Sequence, residues 1–345
     1  MDKRLILAVA GSGKTTYLIN QLDLEKRFLL VTYTDNNEQH LRLSIIKKFG
    51  YEPNNITVLT YYQFLIRICY RPYLKDEIQA KSIMWKQPPR HTMHFKRDDV
   101  RFYLSSDKLL YHNRIAKLCL ENCAEKIKDR IERYFDCFMF DEVQDLAGHD
   151  FNLIQRILPT TKDCLMVGDF FQHTYETSVD GNVNKSLYKD FEAYIKKWNL
   201  RSIKIDFSTL QRSHRCSPTI CDFVKKHLGI SIESNRTDHT NIFFIRTQEE
   251  AEYLYNDNSK VKLFLQDCSK YDCFAFNWGA SKGLDDFQDV CIILNKNTLN
   301  LFENNSLYSL SPVTKNKLYV ACTRAKRDIY FIPHTFIDRF KTAKI

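Results

Sequence analysis

Two short segments, far apart in the chain, carry side chains suited to a single reaction. Ala10-Gly11-Ser12-Gly13-Lys14-Thr15-Thr16 closes the apolar run Arg4 to Ala10 (RLILAVA). A buried strand, a glycine turn and a helix expected from the spacing of Thr16, Leu18, Ile19 and Leu22 would wrap successive backbone N–H groups around a phosphate chain. Lys14 adds a positive charge to the β- and γ-phosphates, and the Thr15 hydroxyl is a suitable ligand for Mg²⁺. The strict phosphate-loop pattern departs only at its first position, where Ala8 stands for glycine. The second segment, Asp141-Glu142, ends the hydrophobic run Tyr134 to Phe140 (YFDCFMF). An Asp at the carboxyl end of a neighbouring strand can hold Mg²⁺. The Glu beside it can take a proton from water that attacks the γ-phosphate. The chemistry suggested is hydrolysis of a nucleoside triphosphate, with ATP and Mg²⁺ as cofactors.

A third apolar run, Asp163 to Asp169, leads into Phe170-Phe171-Gln172. A side-chain amide at the tip of the next strand along can sense whether the γ-phosphate is present, a role that suits Gln172.

With these residues in hand, the chain resembles the UvrD/Rep family of superfamily 1 helicases. AVAGSGKTT is similar to that family's motif I, Val31-Thr32-Tyr33-Thr34 to motif Ia, and Thr60-Tyr61-Tyr62-Gln63-Phe64 to motif Ib. FDEVQD is similar to motif II, GDFFQHTY to motif III, and Leu210-Gln211-Arg212-Ser213-His214-Arg215 to motif IV. Ser281-Lys282-Gly283-Leu284-Asp285 resembles motif V, and the run from Leu318 to Lys326 (LYVACTRAK) resembles motif VI.

The resemblance implies an ATP-dependent DNA translocase and helicase of 3′→5′ polarity, acting on single-stranded DNA or a partial duplex. ATP would be hydrolysed in the cleft between two RecA-like domains. Residues Ala10 to Thr16 would bind the nucleotide, Thr15 and Asp141 the Mg²⁺, and Glu142 would activate water. Gln172 would sense the γ-phosphate, while Arg215 and Arg324 would serve as arginine fingers. His214 stands where the family has a tyrosine stacked on the base, and Asp285 where a Glu contacts the ribose. Thr32, Thr60, Tyr61, Tyr62 and Tyr175 fall along the expected nucleic-acid track, where aromatic rings stack on bases and hydroxyls meet phosphates. Gly279 replaces a motif V histidine, Asp35 a motif Ia asparagine, and Thr177 a second aromatic after motif III. No glutamine segment of the kind that reads adenine precedes the phosphate loop, so GTP is expected to be hydrolysed within about tenfold of ATP. A second reading is a UvrD-like regulatory ATPase subunit beside a nuclease partner, as in anti-phage systems of the Gabija type.

The elements that must position these residues suggest an α/β chain with two RecA-like P-loop NTPase domains, each built on a parallel sheet. Motif order places one domain over 1–205, with a small basic insertion at about 70–112, and the other over 206–345. Asn241 to Ile245, Cys273 to Phe276, Val290 to Leu294 and Ile329 to Ile332 are expected as strands of the second, and Arg114 to Arg133 as a charged helix. Only 66 residues separate Arg215 from Lys282, too few for the large insertion that full-size relatives place there. Charge supports a polyanionic partner without requiring one: Lys+Arg number 51 against Asp+Glu 42, a net +9. The 11 cysteines form no CxxC pair, and several sit inside apolar strands, so they are expected as reduced buried thiols. No signal peptide or long apolar run is evident, which leads to the expectation of a cytoplasmic protein with no membrane partner.

Overall fold

Short apolar runs alternate with helices along the chain, and this alternation makes strands pair in parallel, because each must be followed by a return crossover. A computed structural model describes residues 3–158, 163–174, 180–199 and 202–342. β1 (Arg4–Leu7), β2 (Phe28–Thr32) and β3 (Ile56–Thr60) come first. The crossover between β2 and β3 is the helix Asp35–Phe49. Thr34 caps its start by accepting from the Asn37 N–H, and Gly50, at φ 83°, ends it in the left-handed region.

β4 (Ser82–Met84) and β5 (Leu109–Tyr111) then form a separate parallel pair ahead of the long helix Ile115–Tyr134. β6 (Cys137–Phe140), β7 (Asp163–Gly168) and β8 (Lys204–Asp206) complete a six-stranded sheet in the order β3-β2-β6-β7-β1-β8. β2 pairs in parallel with β3 and β6, β6 with β7, and β1 with β8. β2 and β6 are buried along their whole length, which explains why they read as unbroken apolar runs.

β9 (Arg212–Ser213) and β10 (Glu233–Ser234) form a short parallel pair. A five-stranded sheet follows: β11 (Ile242–Phe244), β12 (Val261–Phe264), β13 (Ala275–Asn277), β14 (Val290–Leu294) and β15 (Ile329–Pro333), ordered β11-β15-β14-β12-β13 and parallel throughout. β12 escaped the sequence reading because Lys262 interrupts it. That lysine is fully buried and donates to the Asp257 carbonyl at 2.7 Å, and burial lowers its pKa.

Among the described residues the chain forms two compact units. One comprises Met1–Ile6, Lys14–Gly168 and Glu176–Asp206, and the other Leu7–Gly13, Asp169–Tyr175 and Phe207–Ile345. The turn of the phosphate loop therefore belongs to the same unit as the five-stranded sheet, with Val9 and Ala10 in its core beside Cys216, Trp278 and Tyr319. β8 extends the first sheet to Asp206, one residue past the boundary expected at 205. Among the described residues no helix is long and apolar enough to cross a membrane.

Candidate nucleotide site

The glycines of the loop fold as their spacing demands. Gly11 and Gly13 have φ of 69° and 82°, a region that favours residues without a Cβ. Gly11 has a second reason to be glycine. A Cβ there would lie 2.7 Å from both the Arg215 Cβ and the Ser213 Oγ. The loop is thus pressed against the segment that carries Arg215, and the His214 N–H donates to the Gly11 carbonyl at 2.9 Å. Ser12 is buried and Thr16 exposed.

The helix Lys14–Asn20 starts at the loop lysine. Lys14 Nζ lies 3.7 Å from the Glu142 carboxylate, and the Thr15 hydroxyl donates to Asp141 Oδ2 at 3.3 Å. Asp141 is 2% exposed; burial first, and then the adjacent Glu142 charge, raise its carboxyl well above the usual range. A buried carboxylate with a hydroxyl and a second, half-buried carboxylate beside it is a donor set that a divalent cation would satisfy, so these residues fit Mg²⁺.

Glu142 has φ 59° and ψ 46°, a left-handed conformation unusual outside glycine, and its N–H donates to Asp141 Oδ1 at 3.0 Å. The fully buried Gln144 donates to the Glu142 carboxylate and fixes its direction. Gly168, at the end of β7, makes room for this turn: a Cβ there would meet Gln144 Oε1 at 2.4 Å and Val143 Cγ1 at 2.7 Å. Gln144 and Gly168 are legible in the sequence as members of the FDEVQD and GDFFQHTY segments. That Gln144 holds the Glu142 carboxylate and that Gly168 leaves room for it is disclosed only by packing.

Gln172 is buried, in a turn capped by Asp169, which accepts from the Phe171 N–H at 3.1 Å. Asp169 also accepts from the Tyr319 hydroxyl at 2.9 Å, and that same hydroxyl accepts from the Ala10 N–H at 2.9 Å. Ala10 was expected to offer its amide to a nucleotide; here the amide is engaged by a buried tyrosine instead. Tyr319 ties loop, turn and the helix Pro312–Cys322 together, a role the sequence did not disclose.

Arg215 and Arg324 share one partner. Arg215 donates to Asp285 Oδ1 at 2.6 Å and to the Thr323 carbonyl at 3.2 Å. Arg324, 2% exposed, donates to the same Oδ1 at 3.1 Å and to the Leu284 carbonyl at 3.2 Å. Two guanidiniums thus converge on the carboxylate of Asp285, the residue expected at the ribose, and hold it electrostatically. The His214 ring is exposed, with Asn235 Nδ2 at 3.0 Å from its Nε2.

The expected nucleic-acid residues fare unevenly. Tyr61 is fully buried, stacked on Tyr33 with centroids 5.6 Å apart and packed against Phe64 and Phe140, so it belongs to the core and not to a stacking track. Thr32 is also fully buried, and the hydroxyl of the buried Thr60 accepts from the Gln63 N–H as a helix cap, so neither presents a hydroxyl to a phosphate. Tyr62 is half-buried and meets the exposed Trp85 edge-on at 4.7 Å. Tyr175 and Thr177 lie outside the described residues.

A family model described as the viral superfamily 1 RNA helicase core domain matches residues 119–333, more than half of the chain. The match supports the superfamily 1 level of the resemblance and not the UvrD/Rep family within it. Two solved structures align with most of the chain, and the first of them is similar in fold. One is an arterivirus nonstructural protein 10 helicase in complex with DNA, with TM-score 0.51, 14% identity, and coverage of 95% of this chain and 60% of that one. The other is the PRRSV helicase, with TM-score 0.49, 14% identity, and coverage of 99% and 54%. The chain thus spans 60% of the length of the first. No curated protein matches it by sequence.

Proposed function

The chain belongs to the family of viral superfamily 1 RNA helicase core domains, and from that premise we propose that it is an NTP-driven translocase of single-stranded nucleic acid. The observation that carries this reading is the meeting of Lys14, Thr15, Asp141 and Glu142, with Lys14–Glu142 at 3.7 Å and Thr15–Asp141 at 3.3 Å. Lys14 and the remaining loop amides bind the β- and γ-phosphates, and Thr15 and Asp141 would hold Mg²⁺. When bound, the cation neutralises charge on the transferring phosphoryl group. Glu142, fixed by Gln144, accepts the proton of the attacking water. Arg215 and Arg324 stabilise the developing charge once a γ-phosphate draws them from Asp285. His214 packs against the base without reading its edge.

The 3′→5′ polarity rests on the UvrD/Rep likeness alone, and the family match neither supports nor opposes it. The family is described by its RNA helicases and one structural neighbour holds DNA, so either strand chemistry is a substrate to be tried. The test is NTP hydrolysis by the chain with and without single-stranded RNA or DNA. Stimulation of several-fold or more by at least one strand type supports the reading. Hydrolysis that neither strand type stimulates, with neither strand bound, rejects it in favour of a regulatory ATPase subunit that needs a nuclease or other protein partner.

A further inference from the structure

Three aromatic side chains emerge immediately after the carboxyl ends of three different strands. Tyr62 lies two residues past β3, Trp85 one residue past β4 and His112 one residue past β5. β4 and β5 pair in parallel with Met84 opposite Tyr111, so the next residues, Trp85 and His112, come side by side. Their rings stack at 5.9 Å with 30° between planes, and Tyr62 meets Trp85 edge-on at 4.7 Å. His112 is held from behind: it is buried, with Nδ1 3.1 Å from the Met84 carbonyl, and burial lowers its pKa. The indole is thus fixed on two sides yet remains 61% exposed.

A single exposed apolar residue needs no explanation. An indole pinned by two other rings is different, because its orientation is already fixed before any ligand arrives, which lowers the entropic cost of binding. The surrounding charge selects the ligand. Between 79 and 114 the chain has eight Lys and Arg, one of them the buried Arg114, against three Asp and no Glu, and Lys81, Lys86 and Arg90, near Trp85 in sequence, are exposed. Basic side chains around an exposed ring suit phosphates alternating with bases.

We propose that Trp85, braced by Tyr62 and His112, is a base-stacking platform for single-stranded nucleic acid. The proposal rests on the translocase reading and adds to it the place where a base is gripped. Trp198 and Trp278 are fully buried, so Trp85 is the exposed indole of the three tryptophans and its fluorescence isolates the event. Titration with oligo(dT) and oligo(U) is expected to quench the wild-type protein and to leave W85F essentially unquenched. W85A should bind the same oligonucleotides roughly five- to a hundredfold more weakly, while W85F stays within severalfold of wild type. Basal NTP hydrolysis should be unchanged in both variants, which also reports that they fold. Oligonucleotide binding that persists at wild-type strength in W85A, without quenching in the wild type, overturns the platform and leaves the translocase reading standing. Failure of the wild type to bind either oligonucleotide overturns both.

Discussion

Asp285 sets one carboxylate against two guanidiniums, and this imbalance can be tested directly. In D285N the arginines lose their anionic partner, so a γ-phosphate no longer competes with it. The ratio of ATP to ADP affinity, measured by calorimetry, should rise severalfold, a modest change because the carboxylate is more than half exposed. An equal loss of ATP and ADP affinity would instead place Asp285 at the ribose. At Glu142 the expectation is simpler. E142Q should bind ATP as wild type does and turn it over roughly 10²–10⁴ times more slowly, because an amide cannot take the proton from water. R215A and R324A should keep nucleotide affinity within severalfold and lose about 10³ or more in turnover. Wild-type turnover in both would remove the arginines from the reaction.

At the scale of elements, the ends of β6 and β7 must approach closely, and Gly168 is what allows it. G168A should displace Gln144 and destabilise the fold by about 1–3 kcal/mol, the usual size for overpacking. Turnover should fall more than the melting temperature alone would explain, because Glu142 loses the amide that aims it. A variant with a lowered melting temperature and normal turnover would show that Gln144 does not position the base. The parallel α/β architecture was legible in the sequence because covered strands are unbroken apolar runs, as in β6, β7, β14 and β15. What stayed hidden depends on pairing or side-chain direction. Lys262 masked β12. Tyr61 and Tyr62 are adjacent aromatics on one short helix, and only packing reveals that the first faces the core and the second does not. Trp85 gained its neighbours from the register of β4 with β5, which no local pattern announces. The loop and Asp141-Glu142 were visible because phosphate chemistry restricts both residue type and spacing. The two arginines were suggested by the family resemblance alone, and the Tyr319 bridge joins residues 309 positions apart.

For the whole molecule, the excess of basic residues becomes a statement about partners. Binding to single strands should weaken steeply as salt rises, since each neutralised phosphate releases counterions. GTP should be hydrolysed within about tenfold of ATP, a difference of roughly 1.4 kcal/mol or less, if His214 packs on the base and nothing reads its edge. A strong preference for ATP would mean that some other residue does. The central claim is that hydrolysis drives movement along a strand, and displacement of streptavidin from biotinylated single strands tests it most directly. With the biotin placed at either the 3′ or the 5′ end of RNA or DNA, the wild-type protein should release streptavidin from one end only, in the presence of ATP, and E142Q should release none. ATP hydrolysis stimulated by the strand, with no release from either end, would contradict the account.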